Sequence, residues 1–424
     1  MKRRYQAVAL RNIGTKLAES VRGQRIVFGV DVAKEDFFGS FMDEQQRVLL
    51  TIRWKSPNQV RELVGLLREL PTTSLEVALE PSGTYGDALQ VLLLRAGIPV
   101  HQVSPKRCHD AAEVYDGVPS QHDAKAAAII AKLHLDGASR PWRDSTDQER
   151  ELRAAVDMMS LYEEQFWALR NRLEARLARF WPELPLLLPL DSATLIGVLA
   201  ECGSPEQVAA HPEQARTLAR RIGRSLLAED KVEQVLASAR ETIGVPMTSP
   251  ERHALMRLAQ ETQRARDTAR KAKTNVERLS QEQAGIQLMA QAVGKATAAV
   301  LALSVGNADE YESAAAYVKS YGLNLKERSS GRHKGRLKIS KRGPGRSRRY
   351  LYMAVLRLIQ HDAVCAAWYR RKVARDGGKL KGKAIVALMR KLAAALWHVA
   401  QGTPFDARKL FDLRRLKLDE AVVV

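Results

Sequence analysis

The sequence predicts an α/β unit at the N-terminus, a long helical middle and a mainly helical C-terminal unit. Three observations predict it. Short β-rich runs alternate with amphipathic helices over 24–141, long apolar stripes at helical spacing fill 142–285, and a basic stretch broken by glycine and proline sits among helices over 286–403. A basic arm (1–23) precedes these units and a tail (404–424) follows them.

The α/β unit begins with Arg25–Val30, a short apolar run rich in β-branched and aromatic residues. Phe37–Met42 and Val48–Trp54 follow, each bounded by charged or polar residues. Pro57 then opens a helix with Val60, Leu63, Leu66 and Leu67 on one face. Leu75–Leu79 reads as a strand, Asp87–Ala96 as a helix and Pro99–Val103 as a buried strand. Three successive strands, then alternating helices and strands, fit a ribonuclease-H-like sheet and several other α/β folds.

In the middle, Thr146 and Glu149 make a capping box. Leu152, Val156, Met159, Phe166, Leu169, Leu173, Leu177 and Phe180 then recur near helical spacing, interrupted by Glu163. A second stripe carries Leu255, Leu258, Thr262, Ala265, Ala269, Ala272, Val276 and Leu279; its small residues predict close packing on a partner helix. Both stripes read as a coiled-coil-like spacer or dimerisation arm, with a homodimer or dimer of dimers as the expected assembly. Short helices fill 192–245. In the last unit, helices are expected over Gln287–Leu303 with a hinge at Gly294, Ala314–Tyr321, Arg348–Gln360 and Gly382–Ala400.

Composition limits function. The 424 residues are 45% hydrophobic, enough for buried cores, so wholesale disorder is excluded. The three cysteines are far apart and form no CxxC pair, which argues against structural zinc and a disulfide framework. No apolar run is long enough to span a membrane, and the basic N-terminus has no apolar signal core. A cytoplasmic, nucleoid-associated protein is expected. The net charge is +20, and 326–349 holds 11 Lys/Arg against one acid, Glu327, so this stretch supplies half the excess. A focused basic segment of this kind is the footprint of a nucleic-acid binder.

Asp31 directly follows the first strand and Glu80 the fourth, while Asp123 opens a helical run. Two strand-end carboxylates and one on a helix can converge on hard divalent cations, Mg²⁺ or Mn²⁺, which prefer oxygen ligands and can stabilise attacking and leaving oxygens in phosphodiester cleavage. Singly, each acid also reads as a cap, a turn residue or a surface charge.

Three N-terminal segments, Gly29-Val30-Asp31-Val32-Ala33-Lys34, Glu80-Pro81-Ser82-Gly83-Thr84-Tyr85 and Ser120-Gln121-His122-Asp123-Ala124-Lys125, resemble the insertion-sequence 110 family of DEDD-type transposases, the bridge-RNA-guided recombinases. Ser329-Ser330-Gly331, Ile339-Ser340-Lys341-Arg342-Gly343 and the helix from Gly382 to Leu392 resemble the family's second domain. The resemblance implies a RuvC-like, ribonuclease-H-like carboxylate domain holding a divalent metal, a serine nucleophile, donor and target DNA as substrates and a structured guide RNA. The family pattern has four acids, the last two spaced by three residues on one helix. Here Asp123 is the third with Ala126 in the fourth place, or the fourth with Ser120 in the third. Asp116 is the candidate substitute ligand; His122 is a weaker one, because magnesium prefers oxygen.

By the same resemblance, Ser330 is the nucleophile that forms a phosphoserine link to DNA, with Ser329 as the competing assignment. From the residues alone, Ser329-Ser330-Gly331 also reads as a plain turn. A serine hydroxyl needs a base or a metal to activate it, and the resemblance implies a composite site in which the carboxylate domain serves the serine of the other domain. Arg328, Arg332 and Lys341 are placed to neutralise phosphate. Lys334, Arg336, Lys338, Arg342, Arg346, Arg348 and Arg349 complete the nucleic-acid-binding set, and glycine and proline hinges let the loop follow a phosphate backbone. Two other readings stay open: a junction nuclease with no covalent serine step, and a catalytically degenerate nucleic-acid-binding relic.

Overall fold

The apolar run at 25–30 becomes the central strand of a seven-stranded sheet in the computed structural model, which describes residues 6–415 except 14, 82, 116, 119–121, 328–334 and 336. The strands are β1 (Ala7–Ala9), β2 (Arg25–Asp31), β3 (Asp36–Asp43), β4 (Val48–Lys55), β5 (Ser74–Leu79), β6 (Val100–Val103) and β7 (Ser139–Pro141), in spatial order β1-β4-β3-β2-β5-β6-β7. β3 is antiparallel to β2 and β4, whereas β5 is parallel to both β2 and β6. The five middle strands thus have the order and directions of a ribonuclease-H-like sheet. β2 is buried from Ile26 to Val30, which is why it reads as an unbroken apolar run and not as an alternation.

Five helices belong to this unit: α1 (Lys16–Val21), α2 (Val60–Glu69), α3 (Asp87–Arg95), α4 (Pro105–Ala111) and α5 (Asp123–Leu135). On one face Ile26, Phe28 and Val30 pack with Val60, Leu63, Leu67, Leu89 and Leu93. On the other, Val27 and Ala78 pack with Cys108 of α4 and Ala128 to Ala131 of α5. The described part of the basic N-terminal stretch also joins the sheet: β1 pairs with β4, and Leu10, Ile13, Leu17 and Val21 are buried while Arg11, Lys16 and Arg22 face outward. The cations there dominate the composition, while the apolar residues between them are the ones the fold buries.

Gly29 sets the distance between β2 and α5. A Cβ at this position would lie 2.2 Å from the Ala127 carbonyl oxygen and 2.6 Å from the Ala131 nitrogen. Backbone cannot yield as a side-chain tip can, so Gly29→Ala must push α5 off the strand. We expect it to cost about 3 kcal/mol in chemical denaturation, the upper part of the overpacking range; an unchanged denaturation midpoint would contradict the close approach.

The described residues of the second compact unit, Thr146–Val424, are mainly helical. The capping box at Thr146 and Glu149 starts α6 (Asp147–Phe180). Short helices α7 (Leu184–Leu187), α8 (Ala193–Glu201), α9 (Pro205–Ala210), α10 (Pro212–Gly223) and α11 (Glu229–Glu241) lead to α12 (Ser249–Leu279). Then come α13 (Ala284–Val293), α14 (Lys295–Val305), α15 (Ala314–Ser320), α16 (Gly345–His361), α17 (Ala363–Arg375) and α18 (Lys381–Ala400).

The two long helices pack against each other along their length, so the partner demanded by the small-residue seam of α12 is α6 of the same chain. Leu152, Val156 and Met159 continue into the C-terminal core with Leu351, Val355, Leu388 and Leu392. Glu163, which interrupts the α6 stripe, accepts a 2.7 Å hydrogen bond from the Tyr350 hydroxyl of α16. Its polarity therefore marks a joint between helices. No helix among the described residues is long and apolar enough to cross a membrane.

Candidate carboxylate centre and basic hairpin

Strand register brings the first two acids together. Val30 of β2 pairs with Leu79 of β5, so Asp31 and Glu80 follow side by side at the carboxyl ends of parallel neighbours, where adjacent strands lie about 4.8 Å apart. Asp31 shares a strand face with Gly29, and Gly29 is the residue on which α5 rests. Asp123 is one turn N-terminal to Ala127 on that helix, at the end that reaches Asp31.

The electrostatics agree. The Asp31 carboxyl is pushed up to about 6, first by burial and then by the negative charges of Asp123 and Glu80. A half-buried acid crowded by two others has a charge surplus that a dication relieves, so these residues fit a hard, oxygen-preferring metal. The three do not form a tight cage: among the described residues, the one group of three or more His, Cys, Asp or Glu donor atoms within 4.8 Å of one another is Glu76, His101 and His134.

Other groups hold this centre in place. The buried Cys108 thiol on α4 hydrogen-bonds to Glu80, and burial followed by the Glu80 charge keeps that thiol protonated. His122 is the N-cap of α5, its Nδ1 accepting from the Lys125 amide at 3.3 Å, which gives this ring a structural task. Lys125 is buried on the same helix and donates to the Val118 carbonyl at 2.6 Å, tying α5 to the chain at Val118. In the sequence Cys108 carries no signal beyond an apolar or small-residue neighbourhood, and Lys125 appears only as the last residue of the family-like Ser120–Lys125 segment. Asp116 and Ser120 lie outside the described residues. Ala126, the alternative fourth position, offers no ligand atom.

Residues 28–182 match the DEDD-type IS110 family described as Transposase, and residues 289–370 match the family described as Transposase IS116/IS110/IS902. Together the matches span more than half of the chain, in order, and include Asp31, Glu80 and Asp123. The chain belongs to the IS110 transposase family. Among curated proteins nothing matches. Two solved structures of Thermus thermophilus RuvC, one in complex with a Holliday junction substrate, align with 28% of this chain and 99% of theirs. Their identities are 15% and 18% and their TM-scores 0.22 and 0.21.

The transposase's basic loop is a hairpin with a built base. β8 (Leu325–Lys326) pairs antiparallel with β9 (Lys338–Ile339). The Ser340 amide donates to the Asn324 carbonyl at 2.8 Å and the Lys341 amide to the Gly322 carbonyl at 2.9 Å. Gly322 and Gly343 meet backbone to backbone, with no room for a Cβ on either. Arg348 donates to the carbonyls of Tyr321 (3.1 Å) and Gly343 (2.7 Å), so its guanidinium is spent on holding this base. Arg346 pairs with Asp157 of α6. Lys338, Lys341, Arg342 and Arg349 are exposed. Arg328, Ser329, Ser330, Arg332, Lys334 and Arg336 lie between the two short strands, outside the described residues.

Proposed function

We propose that this transposase recombines DNA through Ser330, with Asp31, Glu80 and Asp123 as the ligands of a divalent cation and a structured RNA as its guide. The observation that carries the reading is the meeting of three acids at one end of β2, β5 and α5, in a chain of a transposase family. Bound there, Mg²⁺ or Mn²⁺ would supply charge stabilisation to the phosphate oxygens. Ser330 attacks the DNA phosphorus, forming a phosphoserine ester and releasing a deoxyribose hydroxyl; a hydroxyl of the partner strand then attacks the ester and frees the serine. Arg328, Arg332 and Lys341 offset charge on the phosphate. Cys108 and Lys125 position the acids. Asp116 completes the ligand set. The guide RNA rests on the family resemblance, and the proposed assembly is a homodimer or dimer of dimers.

Recombination between donor and target plasmids tests the reading: Asp31→Ala and Ser330→Ala should both abolish product, and full activity of both would refute it. The exposed cations of the hairpin make a separate prediction. Each of Lys338→Ala, Lys341→Ala and Arg342→Ala should lower the slope of log affinity against log salt by about 0.9 for duplex DNA. Slopes unchanged from wild type would remove the hairpin from the DNA-binding surface.

A further inference from the structure

The end of α5 remote from Asp123 carries a second cluster of ligating groups. Glu76 lies on β5, His101 on β6 and His134 near the C-terminus of α5. His134 is eleven residues from Asp123, about 16 Å along the helix, and Glu76 is four residues from Glu80, about 13 Å along the strand direction. The two clusters therefore occupy opposite ends of the same strand–helix pair. One donor atom from each of Glu76, His101 and His134 falls within 4.8 Å of the other two.

We propose that Glu76, His101 and His134 bind a transition-metal dication of the zinc type, at a site separate from the acid centre. Two imidazoles and one carboxylate make a donor set suited to zinc and its neighbours and poorly suited to magnesium. Glu76 Oε2 lies 2.9 Å from His134 Nε2 and 3.9 Å from His101 Nδ1. Donors around a tetrahedral zinc at about 2.0–2.1 Å stand roughly 3.4 Å apart, so Glu76 Oε2 is about half an ångström from that spacing to each ring nitrogen, and the stacked His101 and His134 rings must turn for both lone pairs to meet one ion.

The surrounding groups are arranged as those of a metal site are. Ser139 Oγ lies 2.8 Å from His134 Nδ1 and orients that ring. Arg25 donates to Glu76 Oε1 at 2.9 Å, which leaves Oε2 for the site. His101 Nδ1 is buried and has no hydrogen-bond partner among the described residues; a ring nitrogen in that condition needs an explanation, and a metal supplies one. Ion binding replaces the His134–Glu76 hydrogen bond: the neutral imidazole carries its proton on Nδ1, donating to Ser139, and turns its Nε2 lone pair to the metal. The bound ion would fasten α5 to β5 and β6, the elements that also set Asp123 against Glu80.

The test uses the full chain, stripped of metal and kept in excess Mg²⁺ so that zinc does not fill the acid centre. Zinc is titrated against a chromophoric chelator. Wild type should take up one equivalent more than His101→Ala or Glu76→Gln, or bind that equivalent at least a hundredfold more tightly. Equal stoichiometry and affinity would overturn the proposal and leave a Glu76–His134–Ser139 hydrogen-bond relay. Should the variants fail to fold, Co²⁺ added to wild type decides: intense visible bands of four-coordinate cobalt support the site, and the pale spectrum of hydrated cobalt overturns it.

Discussion

Asp31→Asn is expected to lower DNA strand cleavage by on the order of 10³-fold or more while making the metal-free protein more stable at neutral pH. The two effects have one origin. In the folded chain the Asp31 carboxyl holds its proton up to about 6, against 3.8 when unperturbed. Between those values the folded state binds more protons than the unfolded state, so metal-free stability falls as pH rises from about 4 to 6. That rise in the Asp31 pKa sets a ceiling of ~3 kcal/mol, and the partial exposure of Asp31 reduces it to about 1–2 kcal/mol. An uncharged Asn is spared that cost. Denaturation of both proteins in chelator at pH 4 and pH 7 checks it: the gap should open only at the higher pH. A variant that loses stability at pH 7, or that still cleaves DNA, would show that Asp31 is not the crowded member of a metal-binding set. Ala126→Asp complements this test, since an acid there fills the alternative fourth position on α5.

Ser330→Ala is expected to abolish recombination, by about 10⁴-fold, with DNA affinity within twofold of wild type. Ser329→Ala should stay active. The reason is chemical: removal of one hydroxyl deletes the nucleophile and leaves the hairpin cations untouched. Gel-shift titration and plasmid recombination on the same preparations separate the two properties. Equal loss in both serine variants would point to the hairpin's shape, and retained activity in Ser330→Ala would favour a junction nuclease that needs no covalent step.

Much of this fold is legible in the sequence because its signals are local. The strands at 25–31, 36–43, 48–55 and 74–79 and the capping box of α6 follow from β-rich runs, flanking polar residues and one Thr-x-x-Glu motif. The strand-end acids are legible for the same reason, since Asp31 and Glu80 end apolar runs. What the sequence hides depends on contacts between distant segments. β1 and β7 are three-residue edge strands that exist only against β4 and β6. The stripe on α12 announces a helical partner without saying that α6 of the same chain supplies it. Cys108 beside Glu80, and Glu76 beside His101 and His134, join residues from separate elements, and no spacing rule marks either group. Arg348 reads as one more cation in a basic run, yet its partners are two carbonyls at the hairpin base.

We propose that Ser330, served by the carboxylate centre, forms a covalent bond to DNA. Wild-type protein incubated with donor DNA and Mg²⁺, then resolved on a denaturing gel with labelled DNA, tests it directly. A protein–DNA adduct is expected in wild type and is expected to be absent in Ser330→Ala, in Asp31→Ala and in wild type with chelator. Cleaved DNA with no adduct, or an adduct that persists in Ser330→Ala, would contradict it.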